Sequence, residues 1–161
     1  FSVALCRRHP RLRAEILDLP GAVKAAAPIL AREGPGDRVA HRAGDALTED
    51  LGTEAFDLVF ISSLLHHFAP AQGREVVRRA ARALRPGGVL VIQELFALSS
   101  ARRAGQVAAL ADLYFALTSE SGTLSVEDLA EWQREAGLRP KRPVRFLSFP
   151  GAGQQNATKP R

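Results

Sequence analysis

The chain has 161 residues, of which 46% are hydrophobic, 24% charged and 6% aromatic, with a formal net charge of +5. That composition fits a folded domain and argues against disorder, and the length allows one domain at most. No apolar run approaches the ~18 residues of a membrane span, and no basic segment followed by an apolar one opens the chain, so membrane insertion and secretion are disfavoured and a cytoplasmic location is expected. A single cysteine, Cys6, rules out an internal disulfide and fits a reducing compartment. The absence of Met and the start at Phe1 are those expected of an incomplete translation product. Nineteen Arg against three Lys, beside abundant Ala, reflects a GC-rich coding bias. Arg74, Arg78, Arg79, Arg82 and Arg85 fall on the polar face of a predicted helix rather than in a basic patch with interleaved aromatics, so no nucleic-acid partner is expected. Asn156-Ala157-Thr158 spells a glycosylation acceptor, which without a secretory route is chance.

In chain order, Phe1 to Arg8 reads as the tail of a helix and Arg13 to Asp18 as a short strand ending in an acid. Pro20 suits a first helical turn, where its missing N–H would be unpaired anyway. Ala22 to Arg32 continues that helix toward a stop at Gly34-Pro35-Gly36. Arg38 to Arg42 is the next strand, running into Ala43-Gly44-Asp45. Phe56 to Ile61 is a continuous apolar strand, expected to be buried on both faces. Val76, Val77, Ala80, Ala81 and Leu84 recur at helical spacing between Ala71 and Leu84, and Pro86-Gly87-Gly88 turns the chain. Val89 to Ile92 is strand-like and ends at Gln93-Glu94. Ala101 to Leu117 is a helix. Ser125-Val126-Glu127-Asp128 resembles a capping box opening a helix toward Ala136-Gly137. Val144 to Phe149 is one further strand, followed by a polar Gly/Gln/Asn tail.

Strands alternating with helices predict an α/β fold, a doubly wound, mostly parallel sheet. Ligands in such sheets bind beyond the carboxyl ends of the strands. Asp18, Asp45, the Ser62 to His67 stretch and Glu94 each follow the end of a different predicted strand, and all could line one crevice. Asp18 can accept both hydroxyls of a ribose, or serve as an acid favoured by a helix N-terminus. Asp45 can accept from an adenine amino group, or shape an ordinary Gly-Asp turn. Of the adjacent His66 and His67, one imidazole can face the crevice and remove a proton from a hydroxyl, whereas a structural histidine is the commoner outcome. Glu94 would be costly in a buried strand without a role, and it can orient that imidazole or bind substrate. Adjacent histidines splay apart, so no metal is expected.

These segments together carry a resemblance. Ile16-Leu17-Asp18-Leu19-Pro20, Gly44-Asp45-Ala46, Phe56-Asp57-Leu58-Val59 through Leu65-His66-His67-Phe68, and Ala83-Leu84-Arg85-Pro86-Gly87-Gly88 through Gln93-Glu94 resemble the catalytic domain of the class I S-adenosylmethionine-dependent small-molecule O-methyltransferases, the group of acetylserotonin, caffeate and polyketide O-methyltransferases. The likeness covers residues 1 to 147 as a partial methyltransferase domain, with 148 to 161 left as a strand remnant and polar tail. It implies a Rossmann-like fold, S-adenosylmethionine as cofactor, a small hydroxyl-bearing metabolite, aromatic or polyketide-like, as substrate, and a homodimer where an N-terminal domain is present. By the resemblance Asp18 with Leu19 would meet the ribose, Asp45 and Ala46 the adenine, and Ser62 would also contact the cofactor. His66 would be the general base and Glu94 its support.

This sequence departs from the family's pattern at several places. His67 stands where many relatives carry Asp, and Ser62 where some plant relatives carry Lys. The position of a further catalytic acid falls near Thr123, and Glu120 is the nearest carboxylate. No Gly precedes Gly21, so the family's first strand, its glycine-rich loop and its dimerisation domain are expected upstream of Phe1. A dehydrogenase-type Rossmann domain also places an acid after its second strand, but does not call for Gly-Asp-Ala or Leu-His-His. A catalytically inactive scaffold is the other alternative, favoured by the absent loop.

Overall fold

The computed structural model describes residues 1–34, 36–97, 106–149 and 151–161. The chain divides into two compact units, Phe1–Asp50 and Leu51–Arg161, at a point where no linker composition marks a boundary.

In the first unit, helix α1 (Ser2–Arg8) precedes strand β1 (Ala14–Asp18), helix α2 (Pro20–Glu33) and strand β2 (Val39–Ala43). β1 and β2 pair in parallel from Ala14 opposite Val39 to Asp18 opposite Ala43. α2 starts at Pro20, the residue expected in its first turn. It ends at Gly34, whose φ of +61° is the left-handed conformation that side chains resist and that closes a helix. Pro35 of the predicted stop lies outside the described residues. Pro28 sits inside α2.

In the second unit, strand β3 (Phe56–Ser62) leads through a 3-10 turn (Leu65–His67) to helix α3 (Pro70–Ala83) and strand β4 (Leu84–Leu95). Helices α4 (Gln106–Thr118) and α5 (Val126–Glu135) follow, then strands β5 (Arg139–Pro140), β6 (Val144–Arg145) and β7 (Ala152–Thr158). Residues 101 to 105 of the predicted helix ahead of Gln106 lie outside the described residues. The sheet order is β3-β4-β7-β5, with β6 also on β7. β3 and β4 are parallel, whereas every pairing of β7 is antiparallel. The α/β character expected from the alternation is therefore present, in a mixed sheet.

The core of this unit lies between one sheet face and α3 and α5. Val76, Val77, Ala80, Ala81 and Leu84 are buried at the predicted spacing, beside Leu90, Ile92, Leu129 and Trp132. Gly73 lies on the α3 face toward α5, where a Cβ would stand 2.7 Å from the Trp132 ring. α5 opens as the sequence suggests: Ser125 accepts from the Asp128 N–H at 3.0 Å, and the Asp128 carboxylate answers the Ser125 hydroxyl.

Three expectations need correction. β3 is not buried on both faces in this chain: among the described residues it pairs with β4, and Leu58 is 50% exposed. Pro86-Gly87-Gly88 does not separate a helix from a strand. β4 begins at Leu84 opposite Phe56 and resumes pairing at Val89 opposite Leu58, so Arg85 to Gly88 bulge out across from Asp57, to which Arg85 is ion-paired at 2.9 Å. The polar tail within 148 to 161 is strand β7, hydrogen-bonded to β4 along its full length, while the strand predicted over Val144 to Phe149 is reduced to Val144 and Arg145. Sheet pairing decided this: β4 offers a free edge, and its partner needs backbone N–H and C=O groups more than apolar side chains.

Candidate functional site

In the first unit the parallel register places the ends of β1 and β2 side by side, and the Gly44 N–H donates to the Asp18 carbonyl at 2.9 Å. The Asp18 carboxylate is exposed, and its Oδ1 accepts the Leu19 N–H at 2.8 Å as α2 begins. Leu19 is 56% exposed. Asp45 is half-buried, and its Oδ1 accepts the Leu47 N–H at 2.8 Å, an Asx turn that carries Ala46. Its carbonyl accepts the N–H groups of Thr48 and Glu49. Glu49 then folds back so closely that a Cβ on Gly44 would stand 2.7 Å from its carboxylate. Arg42 holds that return with bonds of 2.7 Å to both Glu49 Oε1 and the Asp50 carbonyl. The Glu49 hydrogen bond keeps the Arg42 guanidinium above its ordinary pKa. These two bonds engage one carboxylate oxygen of Asp18 and one of Asp45. Two adjacent acids, each with a carboxylate oxygen outside these bonds, fit a ligand that presents a diol and an amino group.

In the second unit β3 delivers the chain to the 3-10 turn, and the neighbouring β4 delivers Glu94 to the same level. Glu94 is 3% exposed and accepts three hydrogen bonds. Its Oε1 takes the N–H groups of Leu64 and Leu65, each at 2.9 Å, and its Oε2 meets His66 Nδ1 at 2.8 Å. An ionised carboxylate only accepts, so Nδ1 donates, and in the neutral imidazole Nε2 then keeps its lone pair. The buried cost of Glu94 is thereby offset without a metal or a second carboxylate. His66 is 5% exposed and His67 is exposed, yet the two rings do not splay apart as expected from the sequence: they stay in contact, with centroids 4.1 Å apart and planes tilted by 48°. Phe115 of α4 lies against the other side of the His66 ring, centroids 4.4 Å apart.

Ser62, grouped with the cofactor residues from the sequence, is half-buried at the end of β3 and accepts from Gln93 Nε2 at 3.4 Å. Gln93 in turn accepts from Gln154 Nε2 at 3.2 Å, so Ser62 heads a row of amides across the sheet. Thr123 is half-buried and Glu120 exposed, and no group of three His, Cys, Asp or Glu side chains converges among the described residues. The structure thus joins Asp18 with Asp45 in one unit and His66 with Glu94 in the other. Two contributors escape a motif reading, Arg42 and Ser121, whose N–H donates to the His66 carbonyl at 3.2 Å. Nothing in their local sequence distinguishes them from surface residues.

Comparison with known proteins adds to this geometry. The family described as the O-methyltransferase domain matches residues 1–139. The chain is 32% identical over 151 residues to a 3-hydroxy-5-methyl-1-naphthoate 3-O-methyltransferase of Streptomyces sahachiroi, covering 93% of this chain and 43% of that protein. It is 31% identical over 153 residues to an L-tyrosine C(3)-methyltransferase of Streptomyces lavendulae, covering 93% and 41%. Among solved structures, the S-adenosylmethionine-dependent methyltransferase SibL in its apo form superposes with a TM-score of 0.83 at 29% identity, over 99% of this chain and 47% of that one. The chain therefore spans less than half the length of the relatives it matches.

Proposed function

Because the chain belongs to the O-methyltransferase domain family, we propose that it serves the transfer of a methyl group from S-adenosylmethionine to a hydroxyl of a small aromatic or polyketide-like metabolite. The observation that carries this reading is the buried His66–Glu94 pair, joined at 2.8 Å with Nε2 left to accept a proton. The first curated relative is named for methylating a hydroxyl on a naphthoate, which favours an acceptor of that class.

When bound, S-adenosylmethionine supplies an electrophilic methyl carbon on a sulfonium. Asp18 would accept from its ribose hydroxyls with Leu19 alongside, and Asp45 from its adenine amino group with Ala46 alongside, each through the oxygen that its own backbone leaves open. Ser62 Oγ accepts from Gln93 and would reach the cofactor through its own O–H, which that bond does not use. His66 Nε2 would take the proton of the acceptor hydroxyl as its oxygen gains the methyl group, with S-adenosylhomocysteine as the leaving group, and Glu94 would stabilise the imidazolium. Such a base is worth on the order of 100- to 10000-fold, and the remainder of the acceleration comes from holding the two reactants in line. The finer attributes of the reading are a cytoplasmic enzyme and a homodimer formed through an N-terminal domain.

In the full-length polypeptide, His66→Gln should lower methyl transfer by at least about 100-fold and leave affinity for S-adenosylhomocysteine within a few-fold, since a general base acts in the transition state. His67→Gln should be much milder. A carbon acceptor is the second reading, favoured by the relative named as a tyrosine C(3)-methyltransferase. Undiminished transfer in His66→Gln would replace the hydroxyl reading with a carbon or pre-ionised acceptor.

A further inference from the structure

The turn that carries His66 is gripped from two sides. On its entry side Glu94 accepts the N–H groups of Leu64 and Leu65. On its exit side the half-buried Ser121 donates its N–H to the His66 carbonyl at 3.2 Å and its hydroxyl to the Phe68 carbonyl. The loop bearing Ser121 is itself tied down at both ends. Before it, the N–H and hydroxyl of Ser119 donate to the Phe115 carbonyl at 2.9 and 2.6 Å, at the end of α4 whose Phe115 ring rests on His66. After it, Leu124 bridges Phe96, and its carbonyl accepts the Ala97 N–H at 2.8 Å, just beyond Glu94 on β4. Ser121 therefore links the far side of the turn to the strand that supplies Glu94.

We propose that Ser121 is a positioning residue for His66, its paired bonds to the His66 and Phe68 carbonyls holding the turn so that the imidazole keeps Nδ1 on Glu94 and Nε2 open. A side chain holds one orientation only as well as its backbone does. The Glu94 bonds fix the N–H groups at one end of a short turn, and without Ser121 the carbonyls at the other end would pivot about them. Ser121 makes no contact with a reacting atom, and the proposal rests on the reading of His66 as the base.

The test uses imidazole nitrogen spectra of the isotopically labelled 161-residue chain and needs no methyl transfer. The wild-type chain should show His66 as one tautomer, protonated on Nδ1. Ser121→Ala removes the hydroxyl and keeps the N–H. It should replace the single-tautomer signature of His66 with an averaged or doubled one, leave His9 and His41 unchanged, and be rescued by Ser121→Thr. A serine with a merely structural role would lower the melting temperature and leave the tautomer as it was. An unaltered His66 signature in a folded Ser121→Ala chain overturns the proposal. If that variant does not fold, amide exchange in the wild-type chain decides: exchange of the Ser121 N–H at least about tenfold slower than that of Glu120 supports the clamp, and equal rates overturn it. His66→Gln tests the base assignment separately, so either idea can fail without the other.

Discussion

The unit spanning Phe1–Asp50 and the unit spanning Leu51–Arg161 are held together by different forces. Among its described residues the first buries two apolar side chains, Cys6 and Val39, and carries ion pairs such as Arg7–Glu33 and Arg13–Asp37 whose partners are at least 38% exposed. Such pairs contribute about 0–1 kcal/mol each. The second unit fully buries Leu65, Leu84, Leu90, Ile92 and Leu129, each worth about 1.5–3 kcal/mol. The acids proposed for the cofactor stand on the lightly built unit, each carboxylate bonded to a backbone N–H of its own loop. The proposed base stands in the packed unit, and its support, Glu94, is also a structural member. Binding and stability should therefore separate in the first unit and stay entangled in the second.

The hardest test of that contrast is Glu94→Ala, which strands two backbone N–H groups and one imidazole N–H in a buried site. It should destabilise the second unit by about 3–5 kcal/mol in a urea melt, whatever it does to activity. A loss under ~1 kcal/mol would mean that the turn holds itself. Asp18→Ala should do the opposite: affinity for S-adenosylhomocysteine falls by about 1.5–3 kcal/mol in calorimetric titration of the full-length polypeptide, with no change in melting. Unchanged binding would remove Asp18 from the site. Gly73→Ala pushes a methyl group into the Trp132 ring and should cost about 1–3 kcal/mol of second-unit stability. Arg42→Gln should be the mildest, within about 1 kcal/mol by thermal melt, because its ion pairs to Glu15 and Glu49 are about one-third exposed or more. A larger loss would show that the Asp45 loop depends on them.

Much of this was legible in the sequence where one local signal sufficed. The apolar spacing of Val76, Val77, Ala80 and Ala81 located α3, Gly34 located the end of α2, and Ser125 with Asp128 located the start of α5. What escaped depended on partners far along the chain. Ala152 to Thr158 has little apolar pattern, yet Gln155 is buried: its Nε2 donates to Gln133 Oε1 of α5 and to the Lys141 carbonyl, and Gln133 Nε2 donates to the Gln155 backbone carbonyl. A buried amide pair leaves no trace in hydropathy. β3 misled in the other direction: its apolar run indicates a buried strand, but Leu58 is 50% exposed in this chain. Ser121 is one serine in a Ser-rich stretch, and only the folded turn shows which carbonyls it meets.

The late position of β7 also bears on how the second unit comes to be made. β4 is synthesised soon after β3 and α3 and can pair with β3 at once, but its other edge is closed by residues as distant as Thr158 opposite Val89. Until those residues leave the ribosome, the growing chain carries a strand rich in Val, Leu and Ile with one row of backbone groups unpaired, a state prone to capture by another nascent chain. The polar composition of β7 is then an asset, because a strand of Gly, Gln and Asn stays solvated and available until β4 receives it. The apolar β4 is closed by a polar strand, and a halt in translation before Ala152 would leave that edge open.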